Sequence, residues 1–269
     1  MKPPPFAYHR PETPEEVDRL LAEHGDEAKI LAGGQSLLPI LNMRLSAPAH
    51  LIDINRLADQ PGEPALDDGV LRFAPLVRQG AVERWPQLAE TAPLLGRALA
   101  FTAHPAIRNR GTLVGSIAHA DPSAELPAAI LALDGEVRCR SAEGTRTVPA
   151  REFLVGALET ALRPTEWVDE VSVPAQPRRC AVEEFARRHG DYAICGVMAV
   201  ARDGGGIRLV HFGIADTPVI TELDGPGDVR AHVRDALVDV EVGEDLHATE
   251  RYRRQLAEVL AARAVERVQ

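Results

Sequence analysis

The chain has 269 residues, 45% of them apolar and 26% charged. That composition excludes disordered, collagen-like and coiled-coil classes and leaves room for one large domain with a smaller one. Thirty Lys plus Arg against 40 Asp plus Glu give a formal net charge of −10, which argues against a broad grip on phosphate backbones, hence against nucleic acid, or on anionic membranes.

Thr13-Pro14-Glu15-Glu16 sets a capping hydroxyl, a proline at the first helical position and a carboxylate three residues on, so a helix is expected to about His24, ended by Gly25. Ala28 to Ala32 then reads as a short buried strand running into Gly33-Gly34. Further strands are expected at Leu51 to Ile54 and Val70 to Ala74, between Pro/Gly/Asp-rich turns. Pro86 to Phe101 has helical spacing, Thr102 to Thr112 is polar and loop-like, and Asp121-Pro122 repeats the cap-then-proline signal for a helix ending by Gly135. A hairpin is expected over Glu136 to Arg140 and Thr145 to Val148, and a strand over Val168 to Val173. Pro174-Ala175-Gln176-Pro177 is the expected domain boundary. Beyond it, Ile194 to Ala201 and Ile207 to Ile214 form a hairpin, and an amphipathic helix starts at Glu250.

Cys139, Cys180 and Cys195 lie far apart with no C-x-x-C spacing, so neither a disulfide framework nor a zinc or iron-sulfur site is assembled from this chain, and a reducing, cytoplasmic compartment is expected. The N-terminus has no apolar signal region, and no segment approaches the roughly 18 apolar residues needed to span a bilayer. Aromatic residues are only 4%, too few for stacking platforms, so binding is expected to rest on backbone groups and small side chains.

Two stretches offer such groups. Ala32-Gly33-Gly34-Gln35-Ser36 follows a strand and precedes Leu37; glycines there admit a ligand to the backbone, and amides at a helix start suit phosphate, although a plain tight turn reads equally well. It is neither G-x-G-x-x-G nor a P-loop. Arg110-Gly111-Thr112-Leu113-Val114-Gly115-Ser116 offers amides and hydroxyls again, and two such turns can converge on the two phosphates of one dinucleotide. Arg108 and Arg110 flank the second turn and read as solvated or subunit-contact groups before phosphate ligands. His104 and His119 have no nucleophile or metal-ligand partner at useful spacing and read as loop histidines.

The runs AKILAGGQSLLPILNMRLSAPAHLIDIN, Ala28 to Asn55, and IRNRGTLVGSIAHADPSAELPAAILAL, Ile107 to Leu133, resemble the FAD-binding medium subunit of molybdenum hydroxylases. That family includes the flavoprotein subunits of aerobic carbon monoxide dehydrogenase and of bacterial xanthine, nicotinate and quinoline oxidoreductases. Arg188-His189-Gly190-Asp191-Tyr192-Ala193 and Glu250-Arg251-Tyr252-Arg253-Arg254 agree in order and spacing, so the resemblance covers essentially the whole chain. It implies an α+β fold: a two-lobed FAD-binding domain of the vanillyl-alcohol-oxidase (PCMH) type over 1–175, followed by a small C-terminal α+β domain over 178–269, with the flavin between them.

Residue by residue, the resemblance implies that Ala32, Gly33, Gly34, Gln35 and Ser36 wrap the pyrophosphate, that Leu37 borders the pocket, and that Thr112, Leu113, Val114, Gly115 and Ser116 complete the cradle. Glu125 would accept from the flavin's sugar or ribityl hydroxyls, and Val168 and Tyr192 would stand beside the isoalloxazine. Where the family often has Gly-Gly, this chain has Val114-Gly115; a Cβ at 114 disfavours positive φ, so either the loop tolerates it there or the cradle is slightly altered.

The implied function is an oxidoreductase subunit that passes electrons. A large subunit holding the molybdopterin cofactor oxidises the substrate, a small subunit carries 2Fe-2S clusters, and FAD on this chain delivers electrons to quinone, NAD or oxygen. The flavin does the redox chemistry, so no catalytic side chain and no metal ligand is expected here. The complex is expected as a dimer of heterotrimers, cytoplasmic or peripheral at the inner face of the membrane through its partners. Paired arginines such as Arg187-Arg188 and Arg253-Arg254 are candidate partner contacts. Two other readings are a scaffold subunit that has lost its flavin and a self-sufficient flavin oxidoreductase, which would need a substrate lobe not evident after Pro177.

Overall fold

The computed structural model describes residues 2–176, 178–225 and 227–269; Pro177, one end of the expected boundary, lies outside them. The first unit opens with β1 (Ala7–His9), α1 (Pro14–His24), β2 (Ala28–Leu31), α2 (Leu37–Met43) and β3 (His50–Asp53). Thr13 caps α1 as expected, its Oγ1 accepting from the Glu16 amide at 3.3 Å, and Gly25 turns the chain at φ 48°. The three strands form a parallel sheet in the order β1-β3-β2. The apolar stripe Val17, Leu20 and Leu21 packs on Ala28, Ile52 and Ile54. Buried Asp18 accepts from Arg140 Nε and Trp167 Nε1, both at 2.9 Å, and so ties α1 to the next sheet.

That next layer comprises β4 (Ala65–Asp67), β5 (Val70–Phe73), α3 (Gln79–Arg84), α4 (Leu88–Thr91), α5 (Pro93–Phe101), α6 (Pro105–Arg108), α7 (Leu113–His119), α8 (Glu125–Ala132), β6 (Glu136–Ser141), β7 (Gly144–Pro149), α9 (Ala150–Phe153), β8 (Leu154–Gly156), β9 (Glu159–Thr160) and β10 (Trp167–Pro174). Its five-stranded antiparallel sheet runs β4-β5-β10-β6-β7. The helix expected over Pro86 to Phe101 is two helices, because Pro93 lacks the N–H to continue α4 and starts α5 instead. The stretch expected as a loop to Thr112 holds the short α6. The helix expected from Asp121 begins at Glu125: the Asp121 carboxylate accepts from the Ser123 amide at 2.9 Å and spends its capping capacity on a local turn.

The last unit has β11 (Cys180–Ala186), β12 (Ala193–Ala201), β13 (Ile207–Phe212), β14 (Val219–Leu223), α10 (Val229–Ala236) and α11 (Glu250–Val268). The expected hairpin is β12–β13, the middle pair of a four-stranded antiparallel sheet whose outer strands β11 and β14 were not anticipated. Alternation assigns its two faces. Ala181, Cys195, Val197, Ala199 and Leu209 meet Ala257, Leu260 and Ala261 of α11. Val182, Met198, Val200, Val210 and Phe212 join the cluster containing Leu94, Leu95, Ala129 and Ile130. One hydrophobic core therefore crosses from the first unit into the second. Among the described residues no helix is long and apolar enough to cross a membrane.

Candidate functional site

The chain leaves β2 through Ala32–Ser36, with Gly34 in the left-handed region at φ 72°. Leu38 donates its amide back to Gly34 O at 3.1 Å, and Gln35 Nε2 donates to Gly33 O at 3.1 Å. Among the described residues no acceptor stands at the amides of Gly34, Gln35, Ser36 and Leu37, and Ser36, at the N-cap of α2, bonds no helix amide with its side chain. The turn thus presents several unpaired donors in a row, the arrangement that suits an anionic oxygen.

The two glycine turns meet backbone to backbone. A Cβ placed on Gly33 would lie 2.5 Å from Arg110 O and 2.7 Å from Gly111 Cα. Asn55 Nδ2 donates to Ala32 O at 2.8 Å. Arg78 donates through Nη1 to Arg110 O and through Nη2 to Asn55 Oδ1, both at 2.6 Å. The Gln79 amide donates to Gly111 O at 2.9 Å. Sequence reasoning assigned no role to Asn55, although it closes the first quoted run, and Arg78 carried no local signal. Loss of hydration, then the neighbouring Arg110 cation, holds the Arg78 guanidinium below its usual pKa. Two cations beside unpaired amides form a positive corner.

The second segment is a helix start rather than an open loop. Thr112 is the N-cap of α7, its Oγ1 accepting from the Gly115 amide at 2.9 Å, while the Leu113 amide donates to Val77 O at 3.1 Å. Val114 is helical, 3% exposed and absent from the positive-φ residues. The expected conflict between its Cβ and the backbone does not arise, because this position needs a right-handed residue pointing into the core. The crowded position is 115, where a Cβ would lie 2.6 Å from Thr112 Oγ1. Leu113 is fully buried, so of Thr112–Ser116 only Gly115 and Ser116 present surface.

At the other end, Glu125 opens α8 with 6% exposure, and Thr102 Oγ1 donates to its Oε2 at 2.9 Å. Burial pushes the Glu125 carboxyl above the usual range. Arg108 is 7% exposed: it pairs with Glu83 through two 2.9 Å bonds and donates to Thr102 O at 2.9 Å. It is an internal strut that holds the Thr102 turn, not the solvated group the sequence suggested. Glu184 of β11 faces Glu125; burial first, then the Glu125 charge, pushes it up to about 8, and among the described residues its buried Oε2 has no donor. Tyr192 is 66% exposed; partial desolvation, then Asp121 and Glu125, raises its hydroxyl pKa.

The second unit is seated on this region. The Gly213 amide donates to Pro122 O at 2.8 Å, and Gly190, at φ 81°, lies so close to Ala103 O and the His104 ring that a Cβ would stand 2.9 Å from each. Val168 is 5% exposed and paired in register with Cys139 inside the first core. Of the paired arginines of α11, Arg253 is internal and Arg254 is half-buried. Arg253 is 7% exposed, donating to Ile194 O, Gly213 O and Asp245, and Arg254 donates to the carbonyls of Leu237 and Val240.

The resulting surface has a positive corner of unpaired amides and guanidinium groups at the first unit. Carboxyls and an exposed tyrosine stand where the two units meet. Among the described residues it offers no activated nucleophile. It suits an elongated ligand with an anionic middle and hydroxyl-bearing neighbours.

A family model described as the FAD binding domain in molybdopterin dehydrogenase matches residues 4–176. The chain is 38% identical, over 98% of its length and 95% of the relative's, to the 6-hydroxypseudooxynicotine dehydrogenase complex subunit alpha of Paenarthrobacter nicotinovorans. It is 35% identical, over 98% of its length and 97% of the relative's, to the carbon monoxide dehydrogenase medium chain of Hydrogenophaga pseudoflava. The solved carbon monoxide dehydrogenase from Hydrogenophaga pseudoflava superposes with a TM-score of 0.93 at 33% identity, covering 100% of this chain and 98% of that one. Quinoline 2-oxidoreductase from Pseudomonas putida 86 does so at 0.90 and 31%, again over 100% and 98%. A family model spanning most of the chain, relatives matched end to end and a shared fold agree with the glycine-turn geometry: the protein belongs to the FAD-binding medium subunits of the molybdopterin dehydrogenases, oxidoreductases of the xanthine and carbon monoxide dehydrogenase type.

Proposed function

We propose that this chain holds FAD across the junction of its two units and serves as the electron outlet of a molybdenum hydroxylase complex. The observation that carries the reading is the contact of Gly33 with the Arg110–Gly111 backbone, which joins the unpaired amides of Gly34 to Leu37 to the first turn of α7. Those amides and the Ser36 hydroxyl would hold the pyrophosphate together with Gly115 and Ser116. Ala32, Gly33 and Gln35 set the shape of the turn and Leu37 borders it. Thr112 acts through its cap, and Leu113 and Val114 through their packing. Arg78 and Arg110 supply a positive field that excludes competing cations and draws the phosphates in.

Glu125 would accept from sugar or ribityl hydroxyls. Tyr192 would border the ring and limit water at its face, and Val168 would support the wall from within the core. The small parallel sheet and the five-stranded sheet fit the two lobes of a vanillyl-alcohol-oxidase-type domain, with 178–269 as the closing domain. When bound, the flavin accepts electrons and passes them to an external acceptor; the chain's own side chains bind, orient and shield.

The partners on this reading are a molybdenum-binding large subunit and a small subunit with 2Fe-2S clusters, assembled as a dimer of heterotrimers. Carbon monoxide, glyceraldehyde and caffeine dehydrogenases among the relatives are named with medium-chain or lettered-subunit designations, which supports a multi-chain assembly. Three buried free thiols fit a reducing, cytoplasmic compartment. The test is purification of the chain with its copurifying subunits, followed by acid release and quantification of FAD and iron. About one FAD per chain and about four irons per complex unit are expected for two 2Fe-2S clusters. A complex that assembles but contains no flavin, even after reconstitution, would establish the scaffold reading instead.

A further inference from the structure

The two glycine turns belong to different layers of the fold, yet one run of hydrogen bonds joins them. Arg78 stands on the second turn: its backbone bridges Thr112, the neighbouring Gln79 amide donates to Gly111 O at 2.9 Å, and the Leu113 amide donates to Val77 O at 3.1 Å. Its side chain reaches across, Nη1 donating to Arg110 O and Nη2 to Asn55 Oδ1, both at 2.6 Å. Asn55 Nδ2 donates to Ala32 O at 2.8 Å and to Asp53 Oδ1 at 2.6 Å, and Tyr8 of β1 donates its hydroxyl to Asp53 Oδ2. We propose that Asn55 and Arg78 are positioning residues for the dinucleotide: they form a clamp that fixes the gap between the two turns and so sets the affinity for its pyrophosphate. This rests on the reading that the turns cradle FAD.

The residue types fit a clamp better than a charge alone. Arg110 O is the carbonyl that a Cβ on Gly33 would meet at 2.5 Å, so Arg78 holds the point where the turns touch. A guanidinium bonds two acceptors through separate nitrogens in one plane, whereas a lysine ammonium is a single point charge. Asn55 must meet a cationic N–H with one terminal atom, and a carbonyl and a carboxylate with the other. That assigns Oδ1 to Arg78 and Nδ2 to Ala32 and Asp53, and it uses both Nδ2 hydrogens. Neither aspartate nor an aliphatic side chain offers that set.

The run is anchored at its far end. Asp53, the last residue of β3, also accepts from the Asn55 backbone amide at 2.9 Å, which caps the short 3-10 turn Ile54–Arg56. Parallel pairing of Leu31 with Asp53 brings Ala32 and Asn55 out of the sheet side by side. Burial pushes the Asp53 carboxyl up, but the Tyr8 hydroxyl and the Asn55 donors outweigh it and hold the group below its usual range. The Asp53 charge in turn opposes the burial and the Arg110 cation that lower the Arg78 pKa. These side chains act on the cradle through the Ala32 and Arg110 carbonyls.

The test compares the full chain with Arg78→Lys, Asn55→Ala and Asn55→Asp, each stripped of FAD and titrated with it by flavin fluorescence, with hydrogen exchange read on the apoproteins. Arg78→Lys keeps the charge and removes the fork. It is expected to weaken FAD about tenfold or more and to leave the apoprotein Tm within about 3 °C of the parent's. Amide exchange should quicken at Leu38, Gln79 and Leu113, the bonded amides of the two turns. Asn55→Ala should weaken FAD at least as much. Asn55→Asp keeps an acceptor for Arg78 but loses the donor beside Asp53; protonation returns one donor, so its Kd relative to the parent's should fall severalfold from about pH 8 to about pH 5. Parent affinity in Arg78→Lys would overturn the clamp and leave Arg78 as a charge alone, and so would unchanged exchange at both turns. A parent chain that takes up no FAD would instead defeat the cofactor reading, and the exchange measurement would still decide the clamp.

Discussion

Gly33 and Gly111 lie back to back: a Cβ on the first would stand 2.7 Å from the Cα of the second and 2.5 Å from the adjoining Arg110 carbonyl. Both contacts are to backbone, which cannot rotate away, so even alanine at 33 must separate the two turns. We expect Gly33→Ala to lower FAD occupancy severalfold and Gly33→Val to abolish it, with about 1–3 kcal/mol lost from overpacking. Flavin absorbance per purified chain measures the first effect and urea titration the second. A Gly33→Val protein with full FAD would remove this turn from the cradle.

Thr112 and Gly115 form a matched pair at the start of α7, the hydroxyl of one accepting the amide of the other at 2.9 Å. Thr112→Ala should cost about 1 kcal/mol through loss of the cap, and Thr112→Ser should retain most of it. Gly115→Ala should cost no more than Thr112→Ala, because its Cβ meets Thr112 Oγ1 at 2.6 Å and the hydroxyl must rotate off the cap while alanine favours the helix. Urea midpoints of the three variants check the order.

The carboxyl pair Glu125 and Glu184 gives the apoprotein a signed pH dependence. The Glu184 carboxyl is pushed up to about 8 from 4.5, so between those values the native state holds a proton that the unfolded chain has released. Stability therefore falls as pH rises from 4.5 to 8 and levels off above. Glu184→Gln should match the parent near pH 5 and exceed it near pH 9, with Glu125, the facing acid, intact. Denaturant midpoints across that range test this, and parallel curves would remove Glu184 as the source.

His211 produces the opposite limb. It is fully buried on β13, its Nε2 lies 3.1 Å from Thr221 Oγ1, and burial lowers its pKa from 6.5 to about 4. The unfolded chain binds its proton first, so about 3 kcal/mol is lost as pH falls from 6.5 to 4. His211→Gln should flatten that acid limb in the same titration, whatever it costs at neutral pH.

Arg253 fastens α11 to the edge where the two units meet, donating to Ile194 O at 2.5 Å, to Gly213 O and to Asp245 at 2.6 Å. Arg253→Met keeps the apolar stem but leaves two buried carbonyls without donors, and should destabilise by roughly 2–4 kcal/mol. Because Gly213 also donates to Pro122 O, FAD retention should fall together with thermal stability, measured on the same samples.

Local chemistry carried much of this protein in its sequence. The Thr13 cap, the β12–β13 hairpin around its glycine turn and the start of α11 at Glu250 were legible because each depends on neighbours within a few residues, whereas the buried face of α11 runs through Arg253, Ala257 and Leu260 and not through Tyr252, Leu256 and Val259. The two glycine turns were legible for the same reason, and four ordered motifs identified the family. Tertiary structure decided what lies across the fold. It made Val114 a buried helical residue, turned Arg108 and Arg253 into internal struts, and delayed α8 to Glu125. Asn55 and Arg78 gained roles only from contacts 23 to 32 residues away. Caps and turns are written in short-range hydrogen bonds. Burial, register and the approach of one backbone to another are set only once the whole core has closed.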